Sequence, residues 1–268
     1  MTTLKAAETL KLMAEKKPLI HHITNWVTIN HCAQIVRHWG CLPVMAHAKE
    51  EVEEMVGLAS ALVLNIGTLT PDLVAAMIIA AKAANRKGIP VVLDAVGAGA
   101  TWLRTAETKR LIGDAHIDVL KGNAGEIATI AGMQAEVRGV ESISVGGDIG
   151  EAAKALAARL KNVVAVTGPV DLVTDGAKIL ELAYGHPLMG KVVGTGCISA
   201  STIGCFAAVG PDILRLAAEA LASFGVAGER AATISKGPGD FMANLFNEVS
   251  ALAADPAGLT VTARERTA

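Results

Sequence analysis

The sequence predicts an α/β protein in which a mostly parallel sheet lies between two layers of helices. Short apolar runs of about four to six residues alternate with longer segments whose apolar positions recur at helical spacing. The short runs are apolar throughout, which is typical of strands that helices cover on both faces. Hydrophobic residues make up 51% of the 268 residues and charged residues 19%, so the chain can bury a large core and is not a disordered protein.

The alternating units occupy the chain up to about residue 167. An amphipathic helix over residues 1–17 comes first, and the helix over residues 71–87 stops at Gly88. We predict strands at 61–64, 90–93, 119–120 and 163–166, and further helices at 101–112, 124–131 and 148–160.

The pattern changes after residue 167. Residues 172–174 and 179–182 flank Asp175-Gly176 and read as a β-hairpin. Three helices follow, at 197–209, 211–232 and 238–254, and the polar tail from Asp255 is expected to fray. Because no linker, repeat or low-complexity stretch divides the chain, residues 1–268 are expected to form a single domain.

Charge and composition exclude some functions. Lys and Arg total 24 and Asp and Glu total 26, so the net charge is 24 − 26 = −2, which argues against a nucleic-acid binder. Trp26, Trp39 and Trp102 are too dispersed to form a stacking platform for bases. The N-terminus lacks a signal-peptide pattern, and the longest apolar run, 198–210, is too short to span a membrane. The four cysteines form no CxxC pair, so we expect reduced thiols in a soluble, cytoplasmic protein.

Polar residues follow the predicted strands. In an open parallel sheet, ligands bind beyond the carboxyl ends of the strands. Each of these residues also has a simpler interpretation as a helix cap. We favour a shared site because several of them fall on one edge: Asn65, Asp94, Lys121, Asn123, Glu126 and Thr167.

A glycine-rich segment, GKVVGTGC at 190–197, precedes a helix rich in Ala and Ser. Inward-facing N–H groups and the helix N-terminus together make an anion site, although a tight turn that needs glycine is the simpler alternative. We favour phosphate binding. Cys197 falls in the first helical turn, where a lowered thiol pKa is expected, and could act as a base or a polar contact. Cys205 is expected to be a small buried residue.

Asn123 and Glu126 are three residues apart at a helix start, so both can face one ligand. Glu126 and Asp94 are candidate ligands of Mg²⁺, directly or through water. The alternative for Glu126 is a carboxylate that the helix dipole favours. The spacing of His21, His22, His31 and His38 matches no zinc pattern.

Seven segments in order resemble the hydroxyethylthiazole kinase family, a branch of the ribokinase-like superfamily. The similarity extends from about residue 5 to residue 250. The segments are PLIHHITNWVTIN (18–30), PVMAHAKEEVEEM (43–55), NIGT (65–68), VVLDAVGAGAT (91–101), LKGNAGEIATIAG (120–132), VTG (166–168) and GTGCISAS (194–201).

The resemblance implies a ribokinase-like αβα sandwich and ATP-dependent phosphorylation of the hydroxyl of 4-methyl-5-(2-hydroxyethyl)thiazole, with Mg²⁺. It also implies a homotrimer with each thiazole pocket at a subunit interface. By motif, the residues implied for the thiazole are Asn25, Met45 and Gly194, those for ATP are Lys121, Asn123 and Thr167, those for magnesium are Asp94 and Glu126, and the catalytic anion hole comprises Gly194, Thr195, Gly196 and Cys197.

Two positions depart from the family pattern. Lys121 stands where Arg is usual, which replaces a two-pronged phosphate contact by a point charge. Ala95 replaces a usual Pro. Three rival functions stay open: another ribokinase-like kinase acting on a sugar or pyrimidine alcohol, a nucleotide sensor without catalysis, and a structural trimer.

Overall fold

The computed structural model describes residues 1–133, 135–138, 141–145 and 147–266. Its strands, in chain order, are β1 (Thr2–Thr3), β2 (Leu19–Ile23), β3 (Leu42–Val44), β4 (Ala61–Asn65), β5 (Val91–Asp94), β6 (Val119–Asn123), β7 (Ala135–Arg138), β8 (Glu141–Val145), β9 (Val163–Thr167), β10 (Asp171–Thr174), β11 (Ile179–Leu182) and β12 (Thr262–Arg266). Ten of these form one sheet in the order β1-β12-β11-β10-β9-β6-β5-β4-β2-β3, and β7 pairs with β8.

Helices cover both faces of the large sheet. They are α1 (Ala6–Lys16), α2 (Ile29–His38), α3 (Val52–Leu58), α4 (Pro71–Lys87), α5 (Trp102–Asp114), α6 (Ala124–Ala131), α7 (Ile149–Leu160), α8 (Thr195–Ala207), α9 (Ile213–Ile234) and α10 (Pro238–Ala254), with 3-10 turns at Pro187–Lys191 and Pro256–Gly258. Helices α1, α2, α8, α9 and α10 share one apolar core, and α3 to α7 share the other.

Successive strand residues point into different cores. Val63 and Val92 belong to the core that includes α8, whereas Leu62 and Leu93 belong to the core that includes α4. A strand with both faces buried is apolar throughout. The predicted αβα arrangement is therefore confirmed, and the strands from β3 through β2, β4, β5 and β6 to β9 pair in parallel.

Local chemistry sets the ends of the helices that follow the central strands. The Thr70 hydroxyl accepts a hydrogen bond from the Leu73 N–H at 3.1 Å, and Pro71 opens α4. Gly88 ends that helix with a φ of +75°, which glycine adopts without steric cost. The predicted stop at Gly88 is thus confirmed.

Two parts of the sheet differ from the sequence prediction. Strands β2 and β3 were not predicted, because histidines interrupt β2 and β3 has only three residues. The prediction that the tail from Asp255 frays is wrong, since β12 pairs with both β1 and β11. Val261 and Ala263 are buried there, while Arg266 donates hydrogen bonds to Asp148 and Glu181. The charged residues of β12 made this segment look like a polar tail in the sequence.

No helix in the described part of the chain is both long and apolar enough to cross a membrane.

The carboxyl ends of the parallel strands meet at one edge of the sheet. Cross-strand register places Asn65 beside Asp94, Asp94 beside Lys121, and Asn123 beside Thr167. These polar residues therefore lie together at one edge of the sheet, with Asn65, Asp94 and Lys121 in one cross-strand row and Asn123 and Thr167 in another.

Candidate active site

A buried ion pair lies at the centre of this edge. The Lys121 Nζ contacts Asp94 Oδ1 at 3.1 Å and donates to the Gly196 carbonyl at 2.9 Å. Lys121 is only 4% exposed and Asp94 is fully buried. The ammonium thus joins strands β5 and β6 to the first turn of α8, which brings the predicted anion loop to the carboxylates.

The charges of this pair act on each other. Burial raises the pKa of Asp94, and the ammonium of Lys121 offsets that rise only in part. Burial by itself lowers the pKa of Lys121, but the carboxylates of Asp94 and Glu126 outweigh it, and the pKa of Lys121 is raised. Lys121 is therefore a permanent cation at the site.

Glu126 is held in place by backbone donors. One carboxylate oxygen accepts from the Gly97 N–H at 2.7 Å, and the other accepts from the Asn123 N–H at 2.7 Å. The Asn123 side chain accepts in return from the Glu126 N–H at 3.0 Å, which completes a capping box at the start of α6. Burial, followed by the charge of Asp94, raises the pKa of Glu126 to about 7. The interpretation of Glu126 as a helix-start carboxylate is confirmed, and the cap also places this carboxylate where the charge of Asp94 acts on it.

Two buried amides connect Asp94 to Cys197. The Asn65 side chain donates to Asp94 Oδ2 at 2.7 Å. The Asn25 Nδ2 donates to Asn65 Oδ1 at 2.9 Å and to Cys197 Sγ at 3.4 Å. Asn25 also exchanges hydrogen bonds with the Thr28 hydroxyl. These residues come from β2, β4, β5 and α8, so the network exists only in the folded chain.

The anion loop has the geometry that the sequence predicts. Gly194 has a φ of +104°, and a Cβ there would lie 2.8 Å from a Thr28 methyl group, so both its conformation and its surroundings require glycine. The Thr195 hydroxyl donates to the Met189 carbonyl at 2.8 Å. The first helical bond of α8 runs from the Ile198 N–H to the Gly194 carbonyl at 2.9 Å, so the N–H groups of residues 195–197 precede the helical ladder.

The prediction of a lowered thiol pKa at Cys197 is wrong. Burial raises the pKa of this thiol, the charge of Asp94 raises it further, and Lys121 offsets these effects only in part. The prediction considered only the helix N-terminus, which favours the thiolate. It missed Asp94, because that carboxylate is far from Cys197 in the sequence. Cys205 is fully buried, as expected.

Two other predicted site residues lie at the same sheet edge but outside the hydrogen-bonded cluster described above. Thr167 ends β9, and its hydroxyl donates to the Gly122 carbonyl at 3.4 Å. Met45 follows β3 and packs partly buried against the core that includes α8.

His22 lies in β2, where its Nε2 pairs with the Ser201 hydroxyl at 2.9 Å. In the described part of the chain, no three His, Cys, Asp or Glu side chains form a group suited to a metal ion.

Sequence reasoning missed Thr28 and Asp171. Thr28 contacts both Asn25 and the surroundings of Gly194, and the Asn-x-x-Thr spacing was its only sequence signal. Asp171 accepts from the Gly168 N–H at 2.9 Å and so braces the turn after Thr167. Burial raises the pKa of Asp171 to about 7.

Comparison with known proteins identifies the same relationship across the whole chain. Residues 10–255 match the model of the hydroxyethylthiazole kinase family. A hydroxyethylthiazole kinase from Methanosarcina mazei is 53% identical over 240 residues, which cover 90% of this chain and 92% of the relative. One from Thermoanaerobacter pseudethanolicus is 55% identical over 244 residues, with coverage of 90% and 92%.

Solved structures agree. A hydroxyethylthiazole kinase protein from Pyrococcus horikoshii superposes with a TM-score of 0.86 at 38% identity, covering 98% of this chain and 99% of its own. A ribokinase-like superfamily protein from Enterococcus faecalis shares the fold, with a TM-score of 0.63 at 12% identity and coverage of 87% and 86%. The predicted ribokinase-like fold is confirmed, and this chain belongs to the hydroxyethylthiazole kinase family.

Proposed function

We propose that this protein transfers the γ-phosphoryl group of ATP to the hydroxyl of 4-methyl-5-(2-hydroxyethyl)thiazole. The observation that carries the proposal is the network from Lys121 through Asp94, Asn65 and Asn25 to Cys197. It gathers a buried cation, two polar amides and a thiol at a helix N-terminus. Phosphoryl transfer needs mainly positioning and charge neutralisation, which such a site supplies.

In the proposed step, the hydroxyl oxygen forms a bond to the γ-phosphorus while the bond from that phosphorus to the bridging oxygen of ADP breaks. The N–H groups at the start of α8 stabilise charge on the moving phosphoryl group. The Cys197 sulfur orients the hydroxyl and, as a thiolate, takes its proton. Lys121 offsets negative charge beside Gly196, where its ammonium already lies 2.9 Å from the carbonyl oxygen.

Magnesium fits the donor set at this edge. Two buried carboxylates, Asp94 and Glu126, lie here; the charge of Asp94 raises the pKa of Glu126, and the ammonium of Lys121 offsets this only in part. Mg²⁺ prefers oxygen ligands and keeps several waters, so it suits these carboxylates together with the phosphates of ATP. Bound there, magnesium would supply further charge neutralisation to the phosphates.

The thiazole site belongs beside Gly194, next to Asn25, Thr28 and Met45. Val27 and Val193 flank this region and are 68% and 72% exposed. Exposed apolar side chains beside a site favour burial against another subunit. These observations support the homotrimer that the family resemblance implies, with each pocket completed at an interface.

We also propose that residues 1–268 act as one kinase domain, since β1 and β12 join both ends of the chain to the same sheet. The four cysteines are unpaired thiols in the structure, which fits an ATP-dependent enzyme of the reducing cytoplasm. Lys121 would bind a phosphate of the nucleotide as a point charge. Thr167 and Asn123, at the ends of the adjacent strands, would bind the nucleotide through polar contacts.

The test is identification of the phosphorylated product. The protein is incubated with ATP, Mg²⁺ and the hydroxyethylthiazole, and ADP release and the phosphate ester are followed by ³¹P NMR. We expect stoichiometric ester and ADP, and neither with the 5-ethyl analogue, which lacks the hydroxyl. Faster turnover of a sugar or pyrimidine alcohol than of the thiazole would reject the substrate, and ATP hydrolysis without ester would reject the transfer.

A further inference from the structure

The orientation of Asn65 is fixed from both ends. One end of its amide lies 2.7 Å from Asp94 Oδ2, and a carboxylate can only accept, so this end is the NH₂ group. The other end receives the Gly67 N–H at 2.9 Å, so it is the oxygen. The two contacts require the same orientation independently, and Asn65 is buried.

Asn25 is fixed in the same way by its own two ends. Its NH₂ group faces Asn65 Oδ1 at 2.9 Å, and its oxygen receives the Thr28 N–H at 3.0 Å. Rotating the amide by half a turn would place oxygen against oxygen at one end and N–H against N–H at the other. The Asn25 group that lies 3.4 Å from Cys197 Sγ is therefore a donor.

We propose that Asn65 is a positioning residue that holds the Asn25 amide so that its NH₂ group donates to the Cys197 sulfur. This inference rests on the proposed function, because it gives the sulfur its role toward the acceptor hydroxyl. Asn25 occupies one acceptor direction of the sulfur, and we place the substrate hydroxyl at another. The donor also favours the thiolate form of Cys197, which is the form that can take the proton of the hydroxyl.

Asn65 reaches Cys197 by way of Asn25, and its own side chain also lies close enough to the thiol to lower the pKa of Cys197 slightly. Replacing Asn65 by leucine keeps the approximate volume but removes both the donor to Asp94 and the acceptor for Asn25. The Asn25 amide then loses one of the two contacts that hold its orientation, and the Thr28 N–H remains as the other. If Asn65 had only a structural role, its replacement would lower the stability of the protein, and any loss of kcat would not depend on the presence of the Cys197 sulfur.

The experiment is a double-mutant cycle on turnover with the thiazole alcohol, using wild type, Asn65→Leu, Cys197→Ala and the pair. We expect Asn65→Leu to lower kcat about tenfold, the factor for one ordinary hydrogen bond, with KM for ATP changed less than about twofold. In the Cys197→Ala background the same change should lower kcat less than about twofold. Equal, independent losses in both backgrounds would overturn the proposal.

Asn85→Leu is the matched control. Its amide also bonds at both ends, donating to the His116 carbonyl at 2.9 Å and accepting from the His116 N–H at 2.8 Å, but it lies in the last turn of α4, near the amino ends of β5 and β6. It should leave kcat unchanged. Inactivity of the wild type toward the alcohol would reject the proposed function, whereas additive losses in an active enzyme reject the role of Asn65 alone.

A second measurement needs neither turnover nor a folded variant. In the unaltered protein, NMR exchange of the side-chain NH₂ protons should show slow exchange for both Asn25 and Asn65, because each is buried and donates within the network. Rapid exchange of the Asn25 NH₂ group would overturn the proposal, even if Asn65→Leu does not fold.

Discussion

Replacing Lys121 by methionine removes the cation at the centre of the site while keeping the length of the side chain. The ammonium lies 3.1 Å from Asp94 Oδ1, and both side chains are buried. At that distance and an effective dielectric constant of ~20, the attraction is about 5 kcal/mol. Removing one partner of a buried pair typically costs ~3–5 kcal/mol, because the other charge stays buried without compensation. We therefore expect Lys121→Met to lower the free energy of unfolding by about 3 to 5 kcal/mol at neutral pH.

The loss should depend on pH in a definite direction. The pKa of Asp94 is already above its ordinary value, and removing Lys121 raises it further. A carboxyl with a raised pKa in the folded state binds a proton that the unfolded chain releases, so stability falls as pH rises above the unfolded value. The deficit of Lys121→Met should thus be smaller at about pH 5 than at about pH 8.

Urea unfolding followed by circular dichroism measures this effect, at one protein concentration because association of copies would raise apparent stability. Lys109→Met, an exposed lysine on α5, is the control and should change stability by less than about 0.5 kcal/mol. Adding Asp94→Asn to Lys121→Met should restore most of the lost stability, since the carboxylate that Lys121 contacts directly is then replaced by a neutral amide. A double variant as unstable as the single one would refute the charge argument.

Three further predictions concern individual groups. Cys197→Ala should lower kcat about 10²-fold while leaving KM for ATP within about twofold. The raised pKa of the thiol predicts that kcat of the wild type rises at alkaline pH, and this rise should disappear in the variant. A kcat of the variant within about twofold of wild type excludes the sulfur as base. Glu126→Gln should raise the magnesium concentration for half-maximal kcat by roughly tenfold, read by titration, and an unchanged titration removes Glu126 from the ion site. Asp171→Asn keeps an acceptor for the Gly168 N–H but removes a carboxyl with a raised pKa of about 7, which lowers stability as the pH rises above the pKa of the unfolded chain. The unfolding free energy of the variant should exceed that of wild type by on the order of 1–2 kcal/mol at about pH 8 and match it at about pH 4. Equal stability of the two proteins at both pH values would contradict this account.

The sequence was sufficient to predict the layers and the polar residues that lie together at one edge of the sheet. Strand segments such as 61–64 are apolar throughout because both faces are buried, and this property is written in neighbouring residues. Asp94 ends β5, and Lys121 lies opposite it in the adjacent parallel strand β6, so the order and register of the strands bring the two together. The capping box of Asn123 and Glu126 is equally local, since its partners are three residues apart.

The rest depended on contacts between distant segments. Nothing near Cys197 in the chain indicates that burial and the charge of Asp94 raise the pKa of this thiol. The bond from Lys121 to the Gly196 carbonyl spans 75 positions, and no periodicity encodes it. The strand at the tail was hidden because its outward residues are charged and its partners, β1 and β11, lie far away in the sequence.

The central claim is that the start of α8 receives the γ-phosphoryl group while Cys197 faces the acceptor hydroxyl. A crystal structure of the protein with the thiazole alcohol, Mg²⁺ and a non-hydrolysable ATP analogue tests it most directly. We predict γ-phosphate oxygens within about 3 Å of the Gly196 and Cys197 N–H groups, and the alcohol oxygen within about 3.5 Å of the sulfur. A γ-phosphate bound away from this turn, or an alcohol directed away from Cys197, would contradict the account.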